Sequence, residues 1–195
     1  MELACTPEFK IGLLISAYYI GYGIGAFAYS LPDQIGRKKS CIYGLLLCLT
    51  CETTMLFFPN YYLRLIGFFG IGLSQIKNST AYNWLSESVS LQKKSTAYTL
   101  INIVDSVPLL VMCLYIMFVS TNWFHLNFWM VIIGYSALVV LAFCPESPQW
   151  LIVTGRRREA IRVLNGISRC NGHWYRIADT QEFVEDPGNF EKQEF

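Results

Sequence analysis

The stretch Ser30-Leu31-Pro32-Asp33-Gln34-Ile35-Gly36-Arg37-Lys38-Lys39 constrains this chain more than any other. It is polar and short, and it lies between two apolar runs of membrane length. The run before it, Ile11–Ser30, is uncharged, and the run after it, Cys41–Phe58, carries Glu52 alone. A bilayer core of ~30 Å takes roughly 20 apolar helical residues. A connection this short between two such segments forces an antiparallel helix pair. Soluble packing would leave both helices with apolar groups on every side.

Three further segments extend the pattern: about Tyr62–Leu85, about Thr96–Val119, and His125–Cys144, which Pro145 ends. Five membrane-spanning helices are therefore expected, in an all-α, polytopic membrane protein. The divisions are an outer segment 1–10, a transmembrane domain 11–144, a linker with an amphipathic helix 145–175, and a polar acidic tail 176–195. Ala17, Gly21 and Gly25 recur at every fourth residue on the first span, a ridge of small residues suited to close helix contact. In the linker, Ala160, Ile161, Val163, Leu164 and Ile167 follow helical spacing. That helix is expected to end at Asn171-Gly172. The tail is too polar to fold by itself.

Charge placement sets the orientation. The first 144 residues carry eight bases and six acids, and the last 51 carry seven and eight. Arg37, Lys38, Lys39, Lys93, Lys94 and Arg156–Arg158 all fall on one side of the five spans, against Lys10 and Arg64 on the other. The positive-inside rule makes the richer side cytoplasmic, or the matrix in a mitochondrial inner membrane. The N-terminus is then outside and the C-terminus inside. Glu2 and Glu8, without a basic leader, argue against a cleavable signal. A net charge of +1 offers nothing to nucleic acid. Cys48-Leu-Thr-Cys51 lies in an apolar helix without a second pair, so it reads as small lining rather than zinc or redox chemistry. His125 and His173 are isolated. Without a nucleophile–base pair, metal cluster or phosphate loop, the chain reads as a non-enzyme without cofactor or metal.

Four landmarks resemble the major facilitator superfamily, in its sugar and organic-cation transporter branch. That family's loop between helices two and three reads G-x-L-A-D-R-x-G-R-[KR]; here stand Tyr29-Ser-Leu31-Pro32-Asp33-Gln34-Ile35-Gly36-Arg37-Lys38. Its sixth helix ends in P-E-S-P-R-W-L before a G-R-x-x-E-A helix; here stand Pro145-Glu146-Ser147-Pro148-Gln149-Trp150-Leu151, then Gly155-Arg156 with Glu159-Ala160. Its fourth helix opens with an arginine and glycines, matched by Arg64, Gly67, Gly70 and Gly72. That helix closes with a glutamate and, seven residues on, an arginine, matched by Glu87 and Lys94. The resemblance covers about residues 10–175 and aligns the five spans with helices two to six. The chain is then expected to be a partial N-terminal half.

The resemblance implies a charge latch at the cytoplasmic ends of the helices, carried by Asp33, Gly36, Arg37, Lys38, Glu87, Lys94 and Glu146. The same charges also suffice to orient loops and solvate helix ends. Departures from the family are Tyr29 for glycine, Pro32 for alanine, and Gln34 and Gln149 for arginine. Each is expected to loosen the coupling between halves.

Glu52, Lys77 and Asp105 lie within the spans. Lys77 precedes Glu87 by ten residues and Asp105 follows Lys94 by eleven, so each sits roughly 15 Å deep at 1.5 Å per residue. They are read either as a midplane site for an organic ion or as a buried pair of Lys77 with Asp105 or Glu52. Pro108 is expected to kink its span. The favoured function is a transporter-derived accessory subunit held by other membrane proteins. The alternative is a transporter of small organic ions or sugars that works as a homodimer or with a separate second half. The lipid bilayer is the partner common to both.

Overall fold

The computed structural model describes residues 7–170, and the regular structure among them is helical. Long helices α1 (Glu8–Ala26), α3 (Arg37–Phe57), α6 (Lys94–Phe118) and α7 (Trp123–Phe143) are joined by shorter ones. These are α2 (Leu31–Ile35), α4 (Tyr61–Leu73), α5 (Ile76–Ser88), α8 (Pro148–Val153) and α9 (Arg157–Cys170). Among the described residues four stretches are long and apolar enough to cross a membrane: α1, α3, α6 with the turn before it, and α7. The end of the linker helix at Asn171-Gly172, the tail, His173 and Cys5 lie outside the described residues.

The third expected span is not one uninterrupted helix. It is two thirteen-residue helices, α4 and α5, meeting at Ser74 and Gln75. Gly70, Gly72 and Ser74 are weak helix formers. At the joint, the Gln75, Lys77 and Asn78 amides donate three residues back, to the carbonyls of Gly72, Ser74 and Gln75. The Ser74 hydroxyl takes the Ile71 carbonyl at 2.7 Å. Such bonds tighten the turn locally into 3-10 geometry. Beyond the joint, α5 carries Lys77, Asn78, Asn83 and Glu87 and is polar where α4 is apolar.

Helix ends obey local chemistry. Asn60 and Asn122 cap α4 and α7, accepting from the amides of Tyr62 and Phe124, as short polar side chains do at first turns. Pro32 stands in the first turn of α2, where a missing amide costs nothing. The hairpin read as a loop is thus partly helical. α6 runs as one helix through Pro108.

Packing is closest between α1 and α4. A Cβ on Gly72 would stand 2.1 Å from the Tyr18 carbonyl oxygen, and one on Gly21 2.2 Å from that of Phe69. The ridge read on the first span thus includes this contact. Backbones meet directly there, as helices in lipid require when no hydrophobic force drives them together. α3 is central: it lies against α4, α5 and α7 and buries Cys41, Gly44, Cys48 and Leu49. α6 contacts its neighbours sparingly and has no buried residue.

Candidate functional site

Four segments converge at one end of the bundle: the α2–α3 hairpin, the last turn of α5, the α7–α8 link and the start of α8. Arg37, the first residue of α3, is the hub. Its Nη2 donates to Glu87 Oε1 at 2.9 Å, and its Nε to the same oxygen at 3.2 Å. Its Nη1 donates to Asp33 Oδ1, one turn back on α2. The Arg37 and Glu87 side chains are 13% and 12% exposed, while Asp33 is 64% exposed. A guanidinium can span two carboxylates in this way because its donors form a rigid fork.

Glu146 does different work. Its Oε1 accepts from the Lys38 amide at 2.8 Å and from the Ser147 amide at 3.2 Å. A carboxylate against the open amides of α3 satisfies orphan donors and meets the positive end of the helix dipole. Lys38 sends its ammonium to the Ala142 carbonyl at 2.7 Å, tying α3 to the last turn of α7.

Gly36 makes this geometry accessible. Its φ of +105° lies in a region closed to most side chains. A Cβ there would also stand 2.7 Å from Glu146 Oε2 and 3.4 Å from the Trp150 ring. The glycine is required both by its dihedral and by the carboxylate lying on it.

Two residues missed by the sequence reading complete the cluster. Ser147 is fully buried; its hydroxyl donates to Glu87 Oε2 and accepts from the Trp150 amide at 3.2 Å, capping α8. The Trp150 indole donates to the Asp33 carbonyl at 2.8 Å. A serine directly before a helix-opening proline is an N-cap signal. Nothing local in the sequence reveals the reach of Ser147 to Glu87.

Lys94 does not join the cluster: it opens α6 and forms no ion pair among the described residues. Tyr29, Gln34 and Gln149, the departures from the family pattern, are exposed and make none of these contacts. Pro32 is buried.

The mid-span charges form no ion pair with one another among the described residues, so the expected buried pair of Lys77 with Asp105 or Glu52 is absent. Matched depth does not set which way a side chain points. Lys77 lies on the α3 side, where its Cβ would be 2.8 Å from a Cβ on Gly44. Glu52 accepts from Cys48 Sγ at 3.4 Å. Asp105 is exposed on α6, one turn from Asn102, whose side chain accepts from Tyr82 on α5 at 3.1 Å.

Comparison with known proteins bears directly on this arrangement. The family model described as "Sugar (and other) transporter" matches residues 4–187. Solute carrier family 22 member 2 of Mus musculus is 28% identical over 173 residues, covering 88% of this chain and 31% of its own length. Organic cation/carnitine transporter 2 of Homo sapiens is 25% identical over 174 residues, covering 88% and 31%. The beta-alanine transporter of Drosophila melanogaster is 28% identical over 189 residues, covering 94% and 30%. The chain thus spans about a third of the length of these relatives.

Proposed function

The chain belongs to the sugar (and other) transporter family, and from that premise we propose that it forms one wall of a carrier for small organic cations. It is a multi-pass membrane protein with a partial major facilitator fold. The observation that carries the reading is the Arg37–Glu87 pair. Charges that merely oriented loops would have no need of a nearly buried, forked pair joining α3 to α5. Removing such ions from water is costly unless every donor and acceptor is matched. Here Ser147 takes the second oxygen of Glu87, and Glu146 closes the neighbouring helix end.

In this reading the cluster holds the basic end of the bundle as one rigid block. Asp33, exposed and with an oxygen to spare, faces the helices that complete the pathway. Those helices come from another part of the polypeptide, a second copy or a separate chain. The basic end is the cytoplasmic one by charge bias. A cationic solute is favoured over a sugar because the names of two relatives specify organic cation/carnitine and beta-alanine, and carnitine and beta-alanine each carry a positively charged nitrogen. Asp105, an exposed carboxylate at mid-span, is the group such a cation would meet.

The test is uptake of a labelled quaternary ammonium by cells making the full chain, against Asp33→Asn and Glu87→Gln variants present at equal surface levels. Uptake that falls at least tenfold in both supports the proposal. Uptake by the parent that is unchanged in both variants sinks it.

An accessory-subunit reading rests on a different observation. Tyr29, Gln34 and Gln149 occupy exposed positions where the family pattern has glycine or arginine. Gentle solubilisation separates the two: fixed stoichiometry with unrelated membrane proteins, without uptake, favours the subunit.

A further inference from the structure

We propose that the arginines of α9 form a docking patch for anionic phospholipid headgroups on the bilayer surface from which α7 emerges. The proposal is independent of transport. α9 is amphipathic: Ala160 and Ile161 are buried, Ala160 with Trp150 and Leu151 of α8, and Val163 packs against them. That seat fixes which face turns outward. Arg158, Arg162 and Arg169 follow at intervals of four and seven residues, so they share one stripe and all are exposed. Arg157 is exposed at the helix start, and the Arg156 guanidinium lies over the Trp150 ring at 5.7 Å. Between 156 and 169 there are five arginines and one acid, Glu159. None of the five forms an ion pair among the described residues.

Place and charge together select the occupant. Only residues 144–147 separate the end of α7 from α8, a tether of at most ~14 Å, so the patch stays beside the membrane. Phe143, directly before that tether, and Val153, at the end of α8, are exposed apolar groups, suited to the interface. Guanidinium forks match phosphate oxygens two at a time, and juxtamembrane basic clusters bind anionic leaflets. A competing occupant is the chain's own acidic tail, with Asp179, Glu182, Glu185, Asp186, Glu191 and Glu194.

The experiment is native mass spectrometry of the full chain in detergent, with an equimolar mixture of phosphatidylcholine, phosphatidylserine and phosphatidylinositol bisphosphate. The anionic lipids are expected to be retained at least tenfold over phosphatidylcholine. Arg158→Gln, Arg162→Gln and Arg169→Gln together should abolish that preference, since one arginine near the surface is worth about fivefold. The matching triple lysine variant should keep it. Equal retention of all three lipids overturns the proposal, as does a glutamine variant that behaves like the parent or a lysine variant that does not. A preference that appears only when Glu182, Glu185 and Asp186 are neutralised assigns the patch to the tail and overturns it too. Displacement of the lipids by millimolar inorganic phosphate would show a site for a soluble anion, with the same consequence.

Discussion

Arg37 and Glu87, fifty positions apart, meet as a forked pair with Nη2–Oε1 at 2.9 Å and Nε–Oε1 at 3.2 Å. This contact joins the first turn of α3 to the last turn of α5 and fixes the two as antiparallel neighbours. Asp33 reaches the same guanidinium from solvent, so one arginine carries a nearly buried partner and an exposed one. The two partners are not energetically equal.

Glu87→Gln should therefore cost far more than Asp33→Asn. Glu87→Gln takes away the nearly buried partner and leaves Arg37 only the exposed Asp33, a loss of roughly 1–3 kcal/mol. An exposed pair is screened and contributes less than ~1 kcal/mol. Unfolding of the two variants in one detergent, followed by circular dichroism, checks the ranking. Equal losses would contradict it.

Gly36→Ala combines two penalties. The φ of +105° is strained for alanine by about 1–3 kcal/mol, and the new methyl displaces Glu146 from above the glycine. Hydrogen exchange should quicken at the Lys38 amide, which loses its acceptor, while amides in α1 stay protected. Unchanged protection at Lys38 would show that Glu146 does not cap α3.

The α1–α4 contact depends on missing side chains. Gly72→Ala should destabilise by roughly 1–3 kcal/mol through overpacking, because its Cβ would stand 2.1 Å from the Tyr18 carbonyl. Gly12, with nothing within 4 Å, is the control; alanine there should be neutral or stabilise by up to about 1 kcal/mol. Melting in detergent compares them, and a harmless Gly72→Ala would mean that the helices are not held this closely.

Lys77 and Asp105 should act independently. A double-mutant cycle of Lys77→Met and Asp105→Asn is expected to give a coupling within about 0.5 kcal/mol, the additivity of separate sites. A coupling above about 1 kcal/mol would restore the mid-span ion pair.

Much of this molecule was legible along the chain because the signals are local. Hydropathy runs placed α1, α3, α6 and α7, and Pro145 marked where α7 stops. Gly36 and Glu146 could be named from their motifs. Lys94 could be named too, but it stands outside the cluster, since a motif position carries no information about where the following helix points. Ser147 and Trp150 were missed as cluster members for the complementary reason. Their local roles are a cap and an apolar anchor, and their long-range partners belong to α5 and α2.

What the order of residues determined by itself was axial: where the four long apolar helices lie and which end carries the bases. Those quantities follow from rise per residue and transfer to lipid, and neither needs a neighbour. The tertiary structure alone decided azimuth and approach. It turned Lys77 toward α3 and left Asp105 exposed, broke the third span at Ser74-Gln75, and brought Glu87 to Arg37. Those outcomes depend on how glycine-lined helices seat against one another, a relation between segments that no single segment encodes.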